Sequence, residues 1–211
     1  MKELLFDKKH ICVAVSKTKP VSAIKKIYDL GHRDFGENKV QELISKQEEM
    51  PKDIKWHMIG HLQSNKVKKV LPLTYLIHSV DSFKLIKTID KESKKLNIKS
   101  NILMQLNISG EERKYGFSFK DAQFVIDENF KKEFSNIRLK GFMGMATYTD
   151  DKEIIINQFN RLNQFYNKNK YKIKSIEILS MGMSNDYKIA LECGSNMIRI
   201  GSKIFGERNY L

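Results

Sequence analysis

The stretch Ile11-Cys12-Val13-Ala14-Val15-Ser16-Lys17-Thr18-Lys19-Pro20 decides how this chain is read. Its apolar, partly β-branched run, closed by a proline, predicts a buried strand over residues 11–16 that stops abruptly. A helix follows over 21–30, with Ser22 near its start and Gly31 just past its end. Strand, short polar turn and helix form the unit from which parallel α/β sheets are built. Lys17 thus stands at the C-terminal end of the first strand, where ligands and catalytic groups gather in such folds. Burial beside an apolar strand disfavours the charged form of an amine. Neutral amine is what imine chemistry with an aldehyde requires. The ordinary alternative is a solvated loop lysine, the default for any one of the 32 lysines present.

The same unit recurs along the chain. Further strands are predicted over 33–35, 55–59, 74–80, 101–107, 137–143, 175–179 and 197–200. Helices are predicted over 39–49, 64–70, 82–96, 121–130, 152–167 and 186–193, with a short helical turn at the C-terminus. A polar loop is expected over 108–119. Eight strand–helix units without a long linker predict an α/β protein, a single (β/α)8 TIM barrel. A doubly wound open sheet shares the alternation and is the alternative, but the count of eight favours the barrel. The length of 211 residues lies near the lower end of the roughly 200 to over 400 known for that fold. Only three prolines and no low-complexity segment interrupt the chain, so residues 1–211 are expected to form one domain.

The formal charge of +13 first suggests a nucleic-acid partner. Only six of the 38 basic residues are arginine, however, and the lysines are spread along the whole chain. Arginine is the better reader of phosphates and bases, so a lysine-rich solvated surface is expected and no nucleic acid. Cys12 and Cys193 are far apart and fit no metal or redox spacing. The first ten residues contain no signal-peptide core, and no apolar stretch reaches the roughly 18 residues of a membrane span. A cytoplasmic protein without membrane contact is expected.

In a barrel, the segments after each strand share one rim. That rim would carry Lys17, Gly36-Glu37-Asn38, Gly60-His61-Leu62-Gln63-Ser64-Asn65-Lys66, Ser180-Met181-Gly182-Met183-Ser184-Asn185 and Gly201-Ser202. Barrel enzymes frequently bind phosphate at the loops after strands 7 and 8. Gly182, Ser184, Gly201 and Ser202 suit this, since glycines let backbone N–H groups approach an anion and serines add hydroxyl donors. The run Ser184-Asn185-Asp186 also reads as an ordinary helix cap. Alternation in Met197-Ile198-Arg199-Ile200-Gly201 turns the isoleucines toward the helices and Arg199 into the barrel. There its charge needs a carboxylate or a ligand acceptor. The histidines suggest no metal site: HExxH is absent, and His10, His32 and His78 lack clustered partners. A lysine, an inward arginine and a phosphate cup together describe a site for a phosphorylated aldehyde, most obviously pyridoxal 5′-phosphate (PLP).

At these residues the chain resembles the pyridoxal phosphate homeostasis proteins, of the alanine-racemase N-terminal, fold-type III class. The resemblance runs from about residue 11 to the end. It rests on Ala14-Val15-Ser16-Lys17-Thr18-Lys19-Pro20, Phe35-Gly36-Glu37-Asn38, Trp56-His57-Met58-Ile59-Gly60-His61-Leu62-Gln63-Ser64-Asn65-Lys66, Leu179-Ser180-Met181-Gly182-Met183-Ser184 and Arg199-Ile200-Gly201-Ser202-Lys203-Ile204-Phe205-Gly206. It implies that Lys17 holds PLP as an imine, that Arg199 faces the pyridine nitrogen and that Ser184, Gly201 and Ser202 hold the phosphate. Asn38 would lie near the cofactor. Lys114 matches a further family lysine, either a second amine in cofactor transfer or a solvated loop residue. Two departures stand out: only about ten residues precede strand 1, where the family usually has a longer helix, and Phe142-Met143-Gly144-Met145-Ala146-Thr147 matches loosely. The implied function is non-catalytic PLP binding in vitamin B6 homeostasis, buffering the cofactor or delivering it to PLP-dependent apo-enzymes. The alternative is a fold-type III amino-acid racemase-like enzyme, and weak racemase-like activity is compatible with the carrier. Such enzymes add a β-rich domain, and proton exchange needs an acid/base group on each face of the substrate. Only Lys17 can be named, and the chain stops after strand 8, so a carrier and a monomer are expected.

Overall fold

A computed structural model describes residues 2–206. Eight parallel strands close into a barrel in sequence order: β1 Ile11–Val15, β2 Asp34–Glu37, β3 Lys55–Met58, β4 Leu76–Val80, β5 Ser100–Leu106, β6 Ile137–Gly144, β7 Ile178–Ser180 and β8 Met197–Ile200. The expected barrel is the observed fold. The open sheet is ruled out because β1 pairs with both β2 and β8, Ala14 lying level with Phe35 and with Ile200. The helices are α1 Lys2–Phe6, α2 Val21–Asp29, α3 Val40–Glu49, α4 Val67–Val70, α5 Phe83–Leu96, α6 Phe119–Phe124, α7 Phe130–Glu133, α8 Lys152–Asn169, α9 Tyr187–Glu192 and α10 Ser202–Phe205.

Strand alternation splits the core in two. Cys12, Ala14, Phe35, Trp56, Met58, Leu179, Ile198 and Ile200 belong to one apolar cluster shared with the helices. Val13, Leu76, Leu103, Met143, Ile178 and Met197 form a separate cluster inside the barrel. The helices present apolar stripes to the outer cluster: α2 buries Ile24 and Ile27, and α5 buries Leu85, Ile86 and Ile89. Each fully buried aliphatic side chain contributes about 1.5–3 kcal/mol. Ser82 and Asp151 cap α5 and α8 by accepting backbone N–H bonds, the latter from Glu153 and Ile154.

Several boundaries differ from the sequence expectation. Residues 64–70 split into a 3-10 turn and the single-turn α4, followed by a 3-10 turn at Leu71–Leu73 that holds Pro72. The expected helix 121–130 starts at Phe119 and runs through a π turn, Val125–Asn129, into α7. β7 begins later than 175 because Ile176 N–H closes a turn on Ile173 O at 3.0 Å. The segment 108–119 is not wholly polar: Ile108 and Phe117 are buried, and Phe117 N–H bonds Gln105 O at 2.8 Å. Before β1, α1 lays Leu5 into the outer core, a helix the charged N-terminus did not announce. Among the described residues, no helix is long and apolar enough to cross a membrane.

Candidate functional site

At the C-terminal end of the barrel lies a cavity of about 730 Å³. Lys17, Asn38, Ser184, Arg199, Gly201 and Ser202 all line it, so the fold brings these six expected cofactor-binding residues to one cavity, while Gly182, also expected at the phosphate, is not in its lining. Its size is within the roughly 300–1,000 Å³ typical of small-molecule sites.

Arg199 enters from β8. Ile198 and Ile200 sit in the outer core, and the guanidinium, 4% exposed, points into the barrel. Nη1 donates to Ser180 O at 2.9 Å and to Ser180 Oγ at 2.6 Å, and Nη2 donates to Gly144 O at 3.1 Å. Among the described residues no carboxylate contacts it; carbonyls and a hydroxyl meet the need for acceptors. Burial brings its pKa down to about 10, opposed in part by Asp186, so it stays charged at neutral pH.

The loops after β7 and β8 interlock. Gly201 N–H donates to Ser184 Oγ at 3.3 Å, so Ser184 does not cap α9. Asp186 holds the cap position instead, and its Oδ1 accepts Met183 N–H at 2.6 Å. Gly182 has φ +90°, and a Cβ there would stand 2.6 Å from Ala190 Cβ. Only glycine lets this loop fold down onto α9. Gly201 differs: a Cβ would meet nothing nearer than Val15 O at 3.5 Å. Packing does not require glycine there, and its bareness leaves room on the cavity side.

Lys17 is half-buried and its backbone is clamped on both sides. Lys46 Nζ, from α3, donates to Ser16 O at 2.9 Å, Glu37 Oε1 at 2.8 Å and Glu42 Oε2 at 3.0 Å. Ser16 Oγ donates to Glu37 Oε1 at 2.6 Å, and Thr18 N–H donates to Glu42 Oε2 at 2.7 Å. Thr18 takes φ +63°, a conformation that β-branched residues rarely adopt. Burial raises the Glu37 pKa despite Lys46 and Ser16. Burial also pushes Glu42 up, but the Thr18 N–H and Lys46 more than reverse this and leave it below its ordinary value. Lys19 Nζ bonds Phe205 O at 3.1 Å and Gly206 O at 3.2 Å, tying the β1 loop to the end of α10.

Three sequence expectations need correction or completion. Gly36 and Glu37 are not on the rim: β2 extends through them, and Glu37, 0% exposed, faces α3. Lys46 went unnoticed, although it follows Val40 and Leu43 on the buried stripe of α3 and stands four residues after Glu42. His78 does have a partner: its Nε2 lies 2.9 Å from His57 Nδ1, and His57 Nε2 lies 3.0 Å from Asp34 Oδ1. Alternation in β3 and β4 turns both rings inward, which sequence spacing alone could not reveal. Among the described residues, no group of three or more His, Cys, Asp or Glu side chains is placed to hold a metal ion. Lys114 does not line the cavity. Its Nζ pairs with Glu111 at 2.6 Å, and the same Glu111 oxygen accepts from the cavity residue Thr147 at 3.2 Å.

A closed barrel with a lysine after β1 and a buried arginine on β8 defines a class of protein. The family model described as "Alanine racemase, N-terminal domain" matches residues 1–209, and the chain belongs to that family. The pyridoxal phosphate homeostasis protein of Helicobacter pylori is 38% identical over 208 residues, 96% of this chain and 90% of that protein. Within the family, then, the chain groups with the pyridoxal phosphate homeostasis proteins. The solved structure of PipY from Synechococcus elongatus with PLP bound matches with TM-score 0.85 and 30% identity, over 95% of this chain and 94% of that one. An alanine racemase from Clostridium difficile matches with TM-score 0.81 but 17% identity, over 98% of this chain and 55% of that one, a likeness of fold alone.

Proposed function

We propose that this chain binds PLP reversibly through Lys17 and acts in PLP homeostasis as a non-catalytic carrier that buffers the cofactor or delivers it to PLP-dependent apo-enzymes. The observation that carries this reading is the convergence of Lys17, Arg199 and the Ser184–Gly201–Ser202 cup on one cavity. The donor set fits the group: an amine for the aldehyde, a guanidinium for the ring nitrogen, and hydroxyls with an uncrowded glycine for the phosphate. The names of the relatives and PLP in PipY support it.

When bound, PLP supplies an electrophilic aldehyde and an electron-accepting ring. Lys17 would hold the cofactor through its amine, which can bond reversibly to an aldehyde. The Glu37–Lys46–Glu42 clamp fixes where that amine is presented. Ser184, Gly201 and Ser202 would hold the phosphate, and Asn38 would lie near the cofactor. Arg199 would donate to the ring nitrogen and, being cationic, would oppose its protonation and so weaken the ring as an electron sink.

The state of the other cavity groups supports a carrier over a racemase-like enzyme. Asp186 is engaged by the Met183 N–H, Lys19 by two carbonyls, and Tyr148 is 92% exposed. Asp150 and Lys152 line the cavity as well, but both are exposed, so none of these five is buried and poised as a second acid/base group. The same proposal takes residues 1–211 as one PLP-binding barrel, of which 1 and 207–211 lie outside the described residues, and places the protein in the cytoplasm as a monomer.

Borohydride treatment of the PLP-loaded protein should leave one pyridoxyl adduct, on Lys17, by mass spectrometry. Adducts scattered over surface lysines, or unchanged binding in Lys17→Ala, would overturn the site. Turnover of a panel of L- and D-amino acids that vanishes in Lys17→Ala would replace the carrier with the enzyme.

A further inference from the structure

The barrel interior contains a line of polar side chains that PLP binding does not by itself explain. Starting at Arg199, Nη1 is 2.6 Å from Ser180 Oγ, which is 3.3 Å from His78 Nδ1. His78 Nε2 is 2.9 Å from His57 Nδ1, and His57 Nε2 is 3.0 Å from Asp34 Oδ1. Ser180, His57, His78 and Arg199 are all buried. Asp34 is the first residue of β2, at the end of the barrel away from the cavity.

We propose that Asp34 is the counter-charge of Arg199, reached through a hydrogen-bond chain that runs in one direction, Arg199 to Ser180 to His78 to His57 to Asp34, and that Ser180, His78 and His57 are positioning residues for the guanidinium. The direction follows from donor inventory. A guanidinium only donates, so Ser180 Oγ accepts from it. The hydroxyl proton then goes to the remaining partner, His78 Nδ1, which must be unprotonated. His78 carries its proton on Nε2 and donates to His57 Nδ1, and His57 Nε2–H donates to the Asp34 carboxylate. Every hydrogen points away from the cavity. A reversed chain would place an imidazolium at His57 and bring two donors onto Ser180 Oγ, leaving the hydroxyl proton without an acceptor.

The surroundings agree. Burial first, and then the Arg199 charge, hold the His78 pKa well below its ordinary value, so that ring is neutral. Burial pushes Asp34 up, but the His57 bond, with Lys55 and His32 nearby, leaves it below the usual carboxylate value and therefore charged. Asp186 also acts on Arg199 through space, whereas Asp34 is the carboxylate joined to it by hydrogen bonds. The Tyr75 ring packs on His57 at 5.7 Å. The hydrogen-bond chain consists of this protein's own side chains. Only its consequence, a fixed guanidinium available to the ring nitrogen, rests on the function proposed above.

The test is nitrogen NMR of the PLP-free protein labelled at histidine, at pH 7. His57 and His78 should both appear as neutral rings protonated on Nε2. An imidazolium, or an Nδ1-protonated His78, overturns the proposal. In Asp34→Asn the ring signals of His57 and of His78 should both shift, since the whole chain loses its terminal charge. A shift confined to His57 would mean that Asp34 is only a local partner, which also overturns it. If the wild-type protein takes up no PLP, the proposed function fails while these tautomers still decide the relay.

Discussion

Outside the barrel wall, between β2 and α3, the Lys46 ammonium meets Glu37 at 2.8 Å and Glu42 at 3.0 Å. Inside the wall, Arg199 meets a hydroxyl and two carbonyls, and the carboxylate in line with it lies beyond two histidines. Both cations are buried, yet one has direct ionic contacts and the other has none. The difference matches what each must leave available. Lys46 holds backbone in place, and contact with two carboxylates makes that hold stiff. Arg199 borders the cavity, and a carboxylate in contact would take the guanidinium edge as a bidentate pair. Neutral acceptors occupy only part of its five N–H groups. Local ion pairing therefore suits the clamp under Lys17, and remote compensation suits a cation that must still offer donors to a ligand.

The largest expected effect separates the two systems directly. Lys46→Met leaves the fully buried Glu37 without its cation, and removing one partner of a buried ion pair costs about 3–5 kcal/mol. Urea denaturation measures it. Glu37→Leu combined with Lys46→Met should recover much of the loss, because both charges are then gone. A loss below about 1 kcal/mol for Lys46→Met would break the comparison, since the clamp would then be no stronger than a surface pair.

Acid should act on the two systems with opposite signs at their most buried groups. The His78 pKa is depressed on folding, so below about 6.5 the unfolded chain takes a proton that the folded chain refuses. Its contribution is complete above that pH and is lost as pH falls, by about 1.4 kcal/mol per pH unit. The Glu37 pKa is raised, so its contribution is complete below about 4.5 and is lost as pH rises through the folded value. Glu42 is depressed and follows the His78 sign, but only below about 4.5. Between about pH 7.5 and 5.5 the wild type should therefore lose more stability on acidification than His78→Gln does, the difference between the two slopes being the His78 contribution. An unchanged slope in that variant would remove the neutral histidine from the relay.

How legible each system was in the sequence follows the same division. The barrel came from alternation, and Arg199 with it, because a charged residue between Ile198 and Ile200 can face only inward. Ser184, Gly201 and Ser202 follow from two Gly/Ser loops at strand ends and Lys17 from the end of the first strand, whereas Asn38 rests on the family resemblance. The clamp is half legible: Glu42 and Lys46 show helix spacing, but a strand expected over 33–35 puts Glu37 on the rim, whereas β2 runs on to Glu37. The relay was not legible, since His57, His78 and Ser180 lie on three strands and meet only through register and closure. Loop lysines such as Lys114 need coordinates too, because pairing with Glu111 leaves no mark in composition.

The smallest expected effect tests whether the clamp stores strain at Lys17. Thr18 sits at φ +63° with its N–H held by Glu42. A left-handed conformation costs an L-residue roughly 1–2 kcal/mol, whereas glycine avoids this but gives up about 0.5–1 kcal/mol in unfolded-state entropy. Thr18→Gly should therefore stabilise the PLP-free protein by about 0.5 kcal/mol. It should also loosen the presentation of the Lys17 amine, seen as faster loss of bound PLP to a trapping amine. The two readouts must move in opposite directions if strain is stored for positioning. A variant that is less stable and releases PLP no faster would show that the Thr18 side chain contributes packing, and that Glu42 and Lys46 hold the loop without straining it.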